Sequence, residues 1–118
     1  MTSPVLNQIG AVFIPVSDIE RSKEWYCRLL GQTADEDVLF GHLFVLPMQG
    51  PDLVLDSKIF TKECILSAPA FHLKAEDIDA AYDYVKALGA ELLSDIENDH
   101  WFTFKDPDGN VIMVCRND

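Results

Sequence analysis

Apolar and polar positions along this chain fall into two stretches with the same rhythm. Residues 9–16 are almost all apolar and rich in β-branched and aromatic types, as in a strand buried on both faces. Ser17 and Asp18 break the run, and Ile19, Trp25, Tyr26, Leu29 and Leu30 then fall near helical spacing, predicting a helix over 17–30. Ser17 and Glu20 have capping-box spacing, and Gly31 tolerates the positive φ of a helix end. The second stretch opens with an apolar strand over 69–75. A helix over 77–88 follows, with Asp77 as N-cap and Ile78, Ala81, Val85 and Leu88 on one face.

The second stretch repeats the first. Asp18-Ile19-Glu20 returns as Asp77-Ile78-Asp79, an offset of 59 in a chain of 118 residues. Each copy closes on Leu-Gly, at Leu30-Gly31 and Leu88-Gly89, and the first helix is one residue longer, so the offset beyond it becomes 58. The halves also end alike, GPDLVL against DPDGNVIM. This order describes an internal duplication within a single domain, 1–118, with modules 1–57 and 69–118 joined by a linker over 58–68.

Within the first module, 32–38 reads as a solvated turn or short edge strand. Strands over 41–48 and 53–56 follow, with Pro47 near a strand end, where a missing N–H does least harm. The second module has strands over 90–94, 101–105 and 111–115, with a Pro-Asp-Gly turn at 106–110. The pattern is βαβββ twice: an α+β fold in which a helix covers one face of each small sheet and the other face curves around an open cup.

Composition narrows the function classes. An apolar fraction of 48% suits a packed domain. A net charge of −11 repels phosphate backbones and anionic membranes and attracts cations, so neither nucleic acid nor membrane is expected as a partner. No secretory signal pattern is visible, and no apolar run approaches the ~20 residues of a membrane span. Cys27, Cys64 and Cys115, odd in number and without CxxC spacing, read as reduced thiols of a cytoplasmic protein. There is no Gly-rich phosphate loop, GxSxG or HExxH, and His42, His72 and His100 are far apart in sequence.

In order, PVSDIERSKEWYCRLLG, AEDIDAAYDYVKALGAEL and FTFKDPDGNVI resemble the vicinal oxygen chelate superfamily, the group of glyoxalase I, extradiol dioxygenases and bleomycin-resistance proteins. The resemblance covers nearly the whole chain. It implies paired βαβββ modules forming a cup that dimerisation commonly completes, so a homodimer is expected. In the metal-dependent relatives, four cup-facing His, Gln or Glu side chains hold a divalent ion. Carried over position by position, these fall on Ala11, Ala70, Met113 and, by the offset of 58, Leu55. A methyl group cannot coordinate, and a thioether prefers soft metals. The resemblance therefore implies a member without the metal site, and no cofactor is expected.

Strand alternation from Ala11 places Phe13, Leu53, Leu55, His72, Lys74, Trp101, Thr103, Met113 and Cys115 on the cup side. Val12, Ile14, Phe71, Leu73, Phe102, Phe104, Ile112 and Val114 fall on the helix side. An apolar, aromatic lining with few polar points suits an organic ligand. Each candidate has a plainer role too. Trp101 suits stacking on a flat or cationic ligand, or packing. His72 suits a ligand hydrogen bond, or simple burial. Cys115 has no visible activating partner and reads as packing. The reading is a metal-free binding protein for a hydrophobic or cationic aromatic small molecule. The alternatives are a glyoxalase- or dioxygenase-like enzyme with a relocated metal site, and a non-catalytic dimerisation module.

Overall fold

The structure is a computed structural model and describes residues 2–117. Its elements are β1 (Ala11–Pro15), α1 (Ile19–Leu30), β2 (Leu43–Leu46), β3 (Asp52–Asp56), β4 (His72–Ala75), α2 (Ile78–Ala87), β5 (Glu91–Leu92), β6 (Trp101–Lys105) and β7 (Val111–Arg116). Both helices begin at an aspartate. Asp18 accepts the Arg21 N–H at 3.1 Å and Asp77 the Ala80 N–H at 3.0 Å, each satisfying an N–H that has no partner in the first helical turn. The cap of α1 is therefore Asp18 and not Ser17, whose hydroxyl is drawn away to Asp108 in the other module. Gly31, at φ 65°, closes α1 by directing its N–H to Arg28 O while Gln32 N–H reaches Cys27 O.

The strands form two mixed sheets, β1-β3-β2 and β4-β7-β6-β5, in which the first strand of each module runs parallel to the last. The first module has one strand fewer than βαβββ. Residues 32–38 hold a polar, acidic run with no apolar alternation to bury, and the second module's counterpart is the two-residue β5. As expected, the outer faces belong to two small sheets, each with its first strand, β1 or β4, at one end of the strand order.

The helix-facing sides of both sheets share one core. Val12, Ile14, Phe44, Leu46, Leu53 and Leu55 from the first sheet join Phe102, Phe104, Ile112 and Val114 from the second. Trp25 of α1 packs on Phe104 of the second sheet, and Tyr82 of α2 packs edge-on against Phe102. Each of the eight residues assigned to the helix side lies in this cluster or packs on it. The opposite face of each sheet therefore points away from the common core. Among the described residues, no helix is long and apolar enough to cross a membrane.

Candidate functional site

Residues paired across strands point to the same side of a sheet, so register sorts the candidates. In the second sheet, His72 pairs with Met113 and Lys74 with Cys115, while Trp101 pairs with Cys115 and Thr103 with Met113. These six side chains share the face opposite the core. His72 and Lys74, on the edge strand β4, are exposed, and Trp101, Thr103, Met113 and Cys115 are half-buried. The Thr103 hydroxyl lies 3.4 Å from Ser94 Oγ, and its N–H donates to the same oxygen. At one end of the face, Arg116 binds Asp99 at 3.1 Å and the His100 ring at 3.0 Å.

In the first sheet, Phe13 pairs with Val54 and Val54 with Val45, so these three share the outer face with Ala11. Phe13 is 51% exposed. Leu55 is a correction. It pairs with Ile14 and Phe44, is fully buried in the core, and lines no cup; Leu53, paired with Val12 and Leu46, is buried likewise. The cup-side residue is Val54, which stands 59 residues before Met113, as Phe13 stands 59 before His72. The one-residue deficit left by the shorter second helix is made up in the loops before the last strand. An offset of 58 therefore lands one residue off, on the wrong face. Val45 and Val54 are the outer-face residues that sequence reasoning missed. Only the pairing register identifies them, since three consecutive apolar residues in 53–55 show no alternation.

The metal-ligand positions of the resemblance are thus Ala11, Val54, Ala70 and Met113. Three hydrocarbon side chains and a thioether do not fit a hard or borderline divalent ion. Among the described residues, no three His, Cys, Asp or Glu side chains come together in a metal-binding group.

The two modules are joined by the turn at 106–110. Asp106, buried, accepts the Tyr26 hydroxyl at 2.6 Å and the N–H groups of Asp108 and Asn110. Burial, with the neighbouring Asp106 charge, pushes the Tyr26 phenol well above its usual range. Asn110, fully buried, donates to Pro15 O and Asp106 and accepts the Leu66 N–H, all at 2.8 Å. Asp108 takes the Ser17 N–H and hydroxyl and the Arg21 guanidinium. An open groove of about 770 Å³ runs between edge strand β4 (His72, Lys74) and Met48, Gln49 and Gln32 of the first module.

Cys27 is buried, and burial raises its pKa. Cys64 is exposed and turned onto the backbone of its own loop through Ile59 O, and Cys115 is half-buried.

Residues 8–114 match the model of the Glyoxalase/Bleomycin resistance protein/Dioxygenase superfamily. In sequence, the chain is 29% identical to the Bacillus subtilis (strain 168) protein described as Uncharacterized protein YetH, over 93% of this chain and 98% of that one. In fold, it is similar to TnmS3, an antibiotic binding protein from Streptomyces sp. CB03234 (TM-score 0.75, 24% identity, 98% and 100% of the two chains). It is also similar to a lactoylglutathione lyase from Agrobacterium tumefaciens (TM-score 0.70, 18% identity, 98% and 96%).

Proposed function

The chain belongs to the glyoxalase/bleomycin resistance protein/dioxygenase superfamily, and we propose that within it this protein binds a small organic molecule without a metal. The observation that carries the reading is the donor set. By register Ala11, Val54 and Met113 share the outer sheet faces that also carry Phe13, Trp101 and Cys115, and Ala70, exposed and two residues before β4, completes the positions at which the resemblance implies ligands. Such faces give affinity through apolar contact and orientation through a few polar atoms, here His72, Lys74 and Thr103. The net charge of −11 favours a cationic aromatic ligand, and a fold neighbour, TnmS3, is described as an antibiotic binding protein.

The cup is completed by a second copy of the chain. Each sheet leaves its first strand as an unpaired edge, and Ile9 and Phe13 are exposed apolar residues at or beside the β1 edge. Bringing β1 of one copy beside β4 of the other joins the Phe13 face to the Trp101 face.

Tryptophan fluorescence with a panel of cationic aromatic drugs tests the reading. At least one drug is expected to quench Trp101 saturably, and Trp101→Phe should remove that quenching while Trp25 emission remains. Metal analysis of the purified protein should find less than stoichiometric zinc, nickel, manganese or iron. A full equivalent of any of them, or no quenching by any drug, overturns the proposal.

A further inference from the structure

At the far end of the Phe13 face, His42 and Asp56 form a pair that the cup as described leaves unused. His42 Nδ1 lies 2.9 Å from Asp56 Oδ1. Asp56 is only 6% exposed, and the same oxygen accepts the Lys58 N–H at 2.9 Å. By register Asp56 pairs with Pro15 and Leu43, which puts its carboxylate on the face of Phe13, Val45 and Val54. A carboxylate oxygen accepts hydrogen bonds, so the pairing makes Nδ1 the donor, and the tautomer it selects leaves Nε2 as the acceptor. The His42 side chain is 27% exposed, within reach of an incoming molecule.

The backbone around the pair is held in an unusual form. Leu39 N–H bonds Leu43 O, and the N–H groups of His42 and Leu43 return to Leu39 O. The turn runs through Phe40 at φ 54° and Gly41 at φ 77°. Phe40 has a side chain and still occupies the left-handed region. Its ring is left 83% exposed, with its centroid 6.4 Å from that of His42. A buried carboxylate needs a hydrogen-bonded partner. What imidazole adds is a second heteroatom on the opposite side of the ring.

We propose that His42 is the polar recognition point of the cup, its Nε2 accepting a hydrogen bond from an aromatic hydroxyl on the ligand. Asp56 is the positioning residue that fixes the ring and its tautomer, and Phe40 offers an aromatic surface beside it. The ligand class is therefore a phenolic aromatic. This rests on the reading of the sheet faces as a binding cup and narrows it.

The test compares 2-naphthol with 2-methoxynaphthalene, the same ring system with and without a proton to donate. Both are titrated calorimetrically at one fixed, mildly alkaline pH. The readout is the ratio of the two affinities, in which the shared aromatic contribution cancels. In His42→Ala the preference for the naphthol is expected to fall about tenfold from its wild-type value, the worth of one hydrogen bond. His42→Gln, which restores an accepting oxygen, should recover part of it. Asp56→Asn, whose amide N–H can donate a hydrogen bond to Nδ1 and so favour the other tautomer, should also lower it. An unchanged ratio in His42→Ala, with both compounds binding, overturns the role of His42 and leaves the binding function standing. Binding of neither compound to the wild-type protein overturns the phenolic assignment, while the binding function stands or falls with the cationic drug panel.

Discussion

At the scale of single residues, Asn110 shows how much one buried amide decides. Its side chain donates to Pro15 O in the first module and accepts the Leu66 N–H from the connecting segment, so three parts of the chain meet on it. Asn110→Ala leaves a buried carbonyl and a backbone N–H without partners, at ~1–3 kcal/mol for each such group. Unfolding by urea should show a loss of about 3 kcal/mol, and a loss below about 1 kcal/mol means that the junction reorganises around the gap. Tyr26, hydrogen-bonded to Asp106 in the same junction, adds a pH dependence. Its folded-state pKa is raised above the unfolded value of ~10, because burial and the Asp106 charge disfavour the phenolate. The folded protein then holds its proton where the unfolded chain releases it. This contribution is complete below about pH 10 and is lost as pH rises toward the folded pKa. Stability measured from pH 9 upward should fall, and Tyr26→Phe should flatten that fall. None of this was legible in the sequence beyond a Pro-Asp-Gly turn, since the partner of Asn110 lies 95 residues away and only packing brings it near.

At the scale of elements, local chemistry was legible and register was not. Both helices stand where periodicity puts them, and strand β6 spans the predicted 101–105. The cap of α1 moved by one residue because a tertiary partner, Asp108, takes the Ser17 hydroxyl, while Asp18 satisfies the helix terminus. The two positions therefore have separable roles. Asp18→Ala should cost about 1 kcal/mol, the usual worth of an N-cap. Ser17→Ala should be coupled to Asp108→Ala in a double-mutant cycle, with an interaction energy of ~0.5–3 kcal/mol. Coupling of Ser17 to Glu20 instead points back to the capping box. The displacement of Leu55 by Val54 has a similar origin. Alternation fixes which residues of β3 share a face, but where all neighbours are apolar only the hydrogen-bonded partner strand says which face that is.

At the scale of the whole molecule, duplication explains both the core and what is left open. Two modules turn their helix sides to one cluster, so each must turn its other sheet face outward. A lone chain then shows Phe13, half-exposed, on the edge strand β1 of one sheet and Trp101, half-buried, on β6 of the other, where β7 separates it from the edge strand β4. Exposed edges with apolar side chains invite pairing with another chain. If a second copy supplies that pairing, ligand binding and dimerisation draw on the same contacts and must change together. Phe13→Glu places a charge on this face without touching the shared core. It is expected to shift sedimentation velocity from dimer toward monomer and to weaken saturable quenching of Trp101 by at least about tenfold, the equivalent of ~1.4 kcal/mol. In the wild-type protein, dilution below the dimer dissociation range should weaken quenching in parallel, and saturation should occur at one ligand per chain. A Phe13→Glu monomer that quenches with unchanged affinity places the ligand on a single sheet face, and the two outward faces then serve separate purposes. Salt distinguishes the contributions further. The net charge of −11 acts through solvent and is screened over ~8–10 Å at ordinary ionic strength, so the affinity for a cationic drug should fall as salt is raised. The affinity for a neutral aromatic of the same size should hold or rise, because its contacts are apolar.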